Sequence, residues 1–584
     1  MASSSKRRSA SKQENSFDDE NSDDLEELEE LERYDSSQSL ISDSDSGSDS
    51  EISVDDYALA DVINAEQSDD EDLVHKSTKN LACYKWEDMK NYAAKREDFL
   101  GSAGPQLGAR SVCDILSIFL LFFSTDLMKN IVLETNRYAE KFINSRVFPP
   151  RSSMRQWTPV TLNEMYILLG IFLLMGIIQK PTLRSYFARK RLISTPGVGD
   201  IISRDRMELI CKFLRFSDSS SIKDYNGPEK LHKIYPIISH LNKKFQSLYL
   251  PSQNISVDKT LTLWKGKLSF KQYFPRKNSK FGMKVYELSE SSTGYLWSFF
   301  VCTGKNMSLD VLSVKEGSNK TTAVVLTLLK PLLNKGYTVW MDNFHNSLEL
   351  ARFLKKNKTD CAGTVNLREK GMPKKVKEGK LKRGEIISQH SGSITIMKWR
   401  DKRDIPFIST YHTDEMKTIL RREEQIKKPV ICIDYNQNMG AVNQIFETYL
   451  SEKKKMHKWY MKIFRKLLNA AALNTMVLYK QNTGSTIDLL AFRITLVEEI
   501  LKKFCDAEKK TLGRHASDNT VSRLKGRHFI RKILPRGKKS RPQRRCVVCS
   551  KRGKKKDTVY CCRECDVGLC LDGCFEIYHT KQTF

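Results

Sequence analysis

Ile255-Ser256-Val257-Asp258-Lys259-Thr260-Leu261-Thr262-Leu263-Trp264 alternates large apolar with polar side chains, the two-residue period of a strand with one buried face. The same period returns at 282–288 and at 295–302, and the intervening Ser291-Ser292-Thr293-Gly294 supplies turn formers, so three antiparallel strands are expected. A helical pattern follows at 321–333 and ends on Asn334-Lys335-Gly336. Tyr337-Thr338-Val339-Trp340-Met341 is short, apolar and β-rich, and it runs straight into Asp342. A second helix at 347–356 and a strand at 362–365 complete the order β-β-β-α-β-α-β.

That order is the one of an RNase H-like nuclease fold, in which acids at the ends of the first and fourth strands meet across the sheet. Asp258 and Asp342 occupy those positions. Two carboxylates so placed hold a pair of divalent ions about 4 Å apart, one activating the attacking oxygen and one stabilising the leaving oxygen of a phosphodiester. Mg²⁺ suits such a site because it takes oxygen ligands and keeps part of its water shell. Taken singly, each aspartate reads as a turn former.

Outward from this block the periodicity changes. Residues 110–251 repeat apolar positions every three and four residues, at 115–123, 127–142, 162–178 and 204–216, which predicts an all-helical unit. Residues 369–429 are Lys-rich turns with short strands such as 393–399 and read as an insertion; helices return at 439–480 and 486–504. The longest apolar runs, at 115–123 and 165–178, are shorter than the roughly 20 residues that cross a bilayer, and buried helices are expected, with no membrane partner.

Charge is distributed unevenly. Of 584 residues, 98 are Lys or Arg and 70 are Asp or Glu, a formal net charge of +28. The first 75 residues hold 24 acids, 5 bases and 17 serines, so the rest of the chain carries a surplus of 47 positive charges. The acidic segment has too few large apolar residues to offset the entropy of ordering; it reads as a disordered tail, with Ser42-Asp43-Ser44-Asp45 suited to an acid-directed kinase. A body this basic implies a polyanionic partner, with nucleic acid the leading class.

Seven of the 14 cysteines lie between Cys546 and Cys574. No signal peptide is recognisable at the N-terminus, so the compartment is expected to be reducing and the cluster reads as metal ligands rather than disulfides. Cys546, Cys549, Cys562, Cys565, Cys570, Cys574 and His579 give two CxxC knuckles followed by single ligands, the spacing of structural zinc. Seven ligands exceed one tetrahedral site and fall one short of two. Either Cys561 or an unidentified group completes the second, or one ion is held by a subset. A RING or PHD finger has related spacing and would imply a ubiquitin or histone-tail partner. Immediately upstream, Lys525, Arg527, Arg531, Lys532, Arg536, Lys538, Lys539, Arg541, Arg544 and Arg545 form an acid-free run that reads as a phosphate-contacting linker and nuclear localisation signal.

From about residue 110 onward the chain resembles the piggyBac transposases and their domesticated relatives. The resemblance is carried by Ser256-Val257-Asp258-Lys259, Trp264-Lys265-Gly266-Lys267, Gln272-Tyr273, Pro275, Gly282, Lys284, Thr293-Gly294-Tyr295 and Met341-Asp342-Asn343-Phe344. Glu134-Thr135-Asn136-Arg137-Tyr138, Ser203-Arg204-Asp205-Arg206, Gly363-Thr364-Val365, Trp399-Arg400-Asp401-Lys402-Arg403, Asp434-Tyr435-Asn436 and Met439-Gly440 extend it. It implies an α+β multidomain protein: a disordered acidic tail (1–85), a split helical dimerisation and DNA-binding domain (108–252 and 453–524), an RNase H-like transposase domain (253–368 and 430–452), an insertion domain (369–429), a basic linker (525–545) and a cross-braced zinc module (546–584) that binds transposon ends. The parent reaction it implies is metal-dependent cut-and-paste transposition at TTAA, with Asp258 and Asp342 holding Mg²⁺ and a homodimer on double-stranded DNA in the nucleus.

Two departures bear on that reaction. Asn443 stands where the resemblance calls for the third metal-binding Asp, and Phe446 where a second acid often follows. Lys259 stands where the family usually has an acid directly after its first Asp. Asp434 and Glu447 are the nearby acids able to substitute. Cleavage is therefore expected to be impaired or absent.

Overall fold

The computed structural model describes residues 84–93, 95–150, 152–190, 192–195, 197–218, 225, 227–274, 281–304, 320–421, 424–447, 449, 458–505, 527–535 and 541–581. The side chains of 440–448 and the acidic tail with its kinase-type serines lie outside the described residues. The chain divides into two compact units, residues 1–505 and 506–584.

Among the described residues, five helices of eight or more residues precede the sheet: α1 (Ile115–Phe122), α2 (Thr125–Asn144), α3 (Leu162–Ile177), α4 (Arg204–Phe213) and α5 (Tyr235–Leu248). Their starts are fixed by side chains that accept otherwise unsatisfied N–H groups: Asp114 from Ser117, Ser124 from Leu127 and Ser203 from Arg206. Thr161 and Glu164 cap α3 reciprocally. That helix is apolar nearly all round and buried along most of its length, the behaviour of a central core helix rather than a surface one. No single helix among the described residues is long and apolar enough to cross a membrane.

Arg206 ties α4 to the start of α3: Nε and Nη2 each meet a Glu164 carboxylate oxygen at 2.9 Å, and its remaining donors reach the carbonyls of Thr158 and Pro159. Burial alone would raise the Glu164 carboxyl, but Arg206 and the Thr161 cap outweigh it and hold it below its ordinary range. A depressed carboxyl stabilises the fold above its unfolded pKa and loses that contribution as pH falls through the folded one. Glu164→Gln is expected to destabilise the helical unit at pH 7 by about 1–2 kcal/mol, with the difference shrinking toward pH 3 in urea unfolding.

The sheet begins with β1 (Asn254–Leu263), β2 (Phe281–Glu290) and β3 (Leu296–Val301). Then come α6 (Lys320–Leu329), β4 (Thr338–Met341), α7 (Leu348–Lys356) and β5 (Asp360–Thr364). β1 pairs antiparallel with β2 and parallel with β4, β4 pairs parallel with β5, and β3 lies outside β2, giving the spatial order β3-β2-β1-β4-β5. On the outer edge, two asparagines act as substitute strand partners. Asn242 of α5 brackets the Phe299 N–H and C=O at 3.0 and 2.8 Å, and Asn474 brackets those of Leu296 at 2.9 Å each.

Residues 369–429, expected as an insertion, continue this sheet. β6 (Ile386–Ser391), β7 (Ile394–Arg400) and β8 (Asp404–Ser409) form a meander, and β8 pairs antiparallel with β5 through Phe407↔Thr364, Ile408↔Gly363 and Ser409↔Ala362. The open edge of β5 and the buried Ile405, Phe407 and Ile408 account for the join. β9 (Met416–Arg421) and β10 (Glu424–Pro429) stand apart from it, as a two-stranded ribbon.

Among the described residues up to 505, the helices α8 (Val430–Glu447), α9 (Trp459–Thr483) and α10 (Leu489–Phe504) follow. α8 packs across β1, β4 and β5, with Ile431, Cys432 and Tyr435 against Trp340, Met397, Trp399 and Phe407. α9 packs on α1, α3 and α5, and α10 on α3 and α1, with Tyr166 and Phe504 stacked at 4.2 Å. Helices from before and after the sheet thus share one core.

Candidate acidic site and zinc centres

The parallel pairing of β1 with β4 ends at Val257↔Met341, and one residue further along stand Asp258 and Asp342. The topology therefore brings the two predicted acids to adjacent strands at one register. Asp258 faces Glu287 across β1–β2, and its Oδ1 accepts the Lys259 N–H at 2.7 Å. Glu287 was not anticipated, because a single acid inside an apolar strand gives no sequence signal. It is buried, and its carboxylate meets Lys466 Nζ of α9 at 3.0 Å; Lys466 also donates to Thr260 Oγ1 at 2.6 Å.

Asp342 is buried and well supplied with donors. Its Oδ1 accepts from the Phe344 and His345 N–H groups at 3.2 Å and from His345 Nδ1 at 2.6 Å. Lys259 Nζ lies 3.8 Å from its Oδ2 and 3.6 Å from the centre of the Phe344 ring. Asn346, next along, donates to the carbonyls of Met341 and Thr364 at 2.9 Å and so ties the loop after β4 to β5.

Asn443 lies on α8, the helix that crosses the strands bearing both aspartates; its side chain, like that of Glu447, lies outside the described residues. Asp434 is committed elsewhere, to His412 Nε2 at 3.1 Å, whose Nδ1 meets Ser409 Oγ at 2.8 Å. Among the described residues no cluster of three or more His, Cys, Asp or Glu ligand atoms includes Asp258 or Asp342.

In the C-terminal unit, β11 (Ile530–Lys532) pairs with β12 (Tyr560–Cys562), and the short helices α11 (Val547–Lys551) and α12 (Cys574–Thr580) flank the second strand in sequence. Two four-ligand groups result. Cys546, Cys549, Cys570 and Cys574 converge in one; His528, Cys562, Cys565 and His579 in the other. Cys549 Sγ lies 3.9 and 3.6 Å from the sulfurs of Cys570 and Cys574, and Cys565 Sγ lies 3.4 Å from His528 Nδ1 and 3.6 Å from His579 Nε2. Zn–S bonds of about 2.3 Å and Zn–N bonds of about 2.0 Å in a tetrahedron put neighbouring ligands about 3.5–3.8 Å apart, which these distances match and a disulfide does not. His579 Nδ1 donates to the Phe575 carbonyl at 2.8 Å, leaving Nε2 for the metal.

All seven predicted ligands are in these groups, and the eighth is His528, not Cys561. Cys561 is buried in β12 opposite Arg531. His528 was missed because it sits in the run read as a basic linker; the odd ligand count was the signal that could have found it. That run is part of the fold: β11 holds Arg531 and Lys532, and Arg544 and Arg545 pair with Thr558 and Asp557. Arg527, Arg531, Lys532 and Arg541 are exposed, whereas Arg544 is tied to Asp566 at 2.9 Å and Arg545 lies 3.9 Å from Asp557. Lys525, Arg536, Lys538 and Lys539 lie outside the described residues.

A family model described as Transposase IS4 matches residues 115–476, and one described as a DDE_Tnp_1-like zinc finger matches residues 524–580, a span that begins before His528. Over 402 residues the chain is 26% identical to PiggyBac transposable element-derived protein 2 of Homo sapiens, covering 65% of this chain and 64% of that protein. The chain belongs to the piggyBac transposase family. It is also 24% identical over 489 residues to PiggyBac transposable element-derived protein 3 of Homo sapiens, covering 81% of this chain and 77% of that protein. A piggyBac transposase synaptic complex with hairpin DNA, solved by cryo-electron microscopy, has the same fold: TM-score 0.65 at 21% identity, covering 83% of this chain and all of the other.

Several of the piggyBac-like motifs serve the scaffold. Asn136 brackets the Val160 N–H and C=O at 2.7 and 3.0 Å, Arg137 pairs with Glu134 and Asp218, and Ser203 and Arg206 hold the α3–α4 junction. The metal that a piggyBac site implies is Mg²⁺ at Asp258 and Asp342. The residues present do not fit a pair of divalent ions: an amide stands at 443, and the ammonium of Lys259 is already within 4 Å of Asp342.

Proposed function

We propose that this piggyBac-family chain is a domesticated nuclear DNA-binding protein that keeps the transposase scaffold while cleavage is impaired. The observation that carries the reading is the acidic centre itself. The order β3-β2-β1-β4-β5 supports the RNase H-like reading and brings Asp258 and Asp342 to one register, yet Asn443 stands where that reading calls for a third acid and a lysine ammonium sits beside Asp342. Without the charge of a third carboxylate the site has little means to hold the dications that stabilise phosphodiester cleavage. DNA binding is supported by the surplus of positive charge and by exposed Arg527, Arg531, Lys532 and Arg541 on the zinc-type unit. The transposase-type zinc-finger match favours DNA over a histone tail. A homodimer, transposon-end-like duplex as ligand, and phosphorylation of the acidic tail belong to the same reading.

Excision from a donor plasmid carrying matched terminal repeats tests it. The unmodified chain is expected to excise no more than Asp342→Ala, and Asn443→Asp, alone or with Lys259→Glu, to raise excision above that level. Excision by the unmodified chain above the control would establish the alternative, an active TTAA transposase. In parallel, replacing Arg527, Arg531, Lys532 and Arg541 by Ala is expected to lower the salt dependence of duplex binding by about 3–4 in log–log slope. An unchanged slope would place the phosphate contacts elsewhere.

A further inference from the structure

We infer that Lys259 is the resident cation of the acidic centre, closing it to divalent metal by occupying the charge position at Asp342. The inference deepens the reading above and rests on taking Asp258 and Asp342 as the family's metal-holding acids.

Lys259 lies on the strand face opposite Asp258, and its side chain is 7% exposed. A lysine this buried is stable only with compensation for its lost hydration. Both available sources are in place: Asp342 Oδ2 at 3.8 Å and the face of Phe344 at 3.6 Å, the residue two positions beyond Asp342. Lys284, also buried, has its Nζ 5.0 Å from the same ring, so a second positive charge borders the site. Across β1, Lys466 neutralises Glu287, the residue opposite Asp258.

A divalent ion at Asp342 would therefore meet an ammonium a few ångströms away that cannot withdraw into water, and it would have to displace that ammonium from both carboxylate and ring. The remaining Asp342 oxygen is held by two backbone N–H groups and His345. Such a centre is a salt-linked element of the core whose integrity does not depend on Mg²⁺, and chelators of Mg²⁺ leave it intact.

The test is Mn²⁺ binding to the full-length, zinc-loaded chain in the absence of DNA, followed by loss of the free-ion paramagnetic resonance signal. The unmodified chain is expected to show no saturable Mn²⁺ binding that Asp342→Asn removes. Lys259→Glu is expected to acquire such binding, about tenfold tighter or more than any in the unmodified chain, and to lose it when Asp342→Asn is added. If Lys259→Glu does not fold, as judged by circular dichroism, Lys259→Met keeps the stem's packing without the charge and takes its place. The assignment is overturned if the unmodified chain binds Mn²⁺ through Asp342 as tightly as the lysine variants do, or if a folded lysine variant gains no Asp342-dependent binding. Because no DNA is present, its failure is distinct from any failure of the excision or duplex-binding experiments.

Discussion

Two zinc ions per full-length chain are expected by metal analysis, and His528→Ala is expected to retain about one. Among the described residues the hydrophobic core of the C-terminal unit is small: besides cysteines, its buried side chains are Val548, Leu569 and Tyr578. Burial of three such side chains contributes roughly 6 kcal/mol. Ordering the backbone of several tens of residues costs about 1–2 kcal/mol each, so burial falls far short. Structural zinc, at about 10–16 kcal/mol per ion, would supply a large part of what burial does not. Stripping zinc is therefore expected to abolish the ordered structure of 527–535 and 541–581, read by amide exchange, while the described helices and sheet before residue 506 stay protected. The two ligand sets alternate along the chain as His528, Cys546 and Cys549, Cys562 and Cys565, Cys570 and Cys574, then His579. Loss of His528 should accordingly also loosen the all-cysteine site. Retention of two tightly bound ions by His528→Ala would show that another group completes the second site.

Gly363→Ala is expected to be among the most damaging small substitutions in the sheet, at about 4 kcal/mol or more. Gly363 has φ +149°, and a Cβ there would lie 1.8 Å from the Met341 carbonyl oxygen and 2.9 Å from Asn346 Nδ2. The obstruction is backbone on the neighbouring parallel strand, so no rotamer change relieves it. The strand pushed away is β4, and its displacement would carry Asp342 out of register with Asp258. Gly392 provides the comparison: φ is +60° but nothing lies within 4 Å of its Cβ position, so Gly392→Ala should cost only about 1 kcal/mol. Urea unfolding of the two variants measures the contrast, and similar losses in both would refute the argument from close approach.

The central strands were legible because alternation and an apolar run report directly on burial. β1, β2, β3, β4, α7 and β5 lie where the sequence places them, with ends shifted by a few residues. The helix expected at 321–333 stops at Leu329 and continues as a tighter turn at Lys330–Leu332, where Pro331 offers no N–H to the ladder. Where one helix is expected over 439–480 the structure has α8 and α9, and α8 begins at Val430 because Ile431, Cys432 and Tyr435 pack against the sheet, a tertiary contact that no local pattern reports. Membership of 386–409 in the main sheet was not legible, since the β5–β8 pairing depends on long-range register that no local pattern encodes. His528 was hidden by its basic neighbours. The proximity of Lys259 to Asp342 could not be read either: alternation assigns Lys259 to a face, but not the reach of its four-carbon stem.

The bracketing of β3 by Asn242 and Asn474 has a consequence for how copies of this chain can meet. A sheet edge normally offers a ladder of open donors and acceptors, and a second chain can extend it strand by strand. Here the positions at Leu296 and Phe299 are already occupied by amide groups anchored on two helices of the same chain. Self-association by β-augmentation is thereby blocked at Leu296 and Phe299, so copies of this chain would have to meet through other surfaces. Two uncharged side chains perform this work, so the protection persists at the high salt that would dissociate the protein from a polyanion.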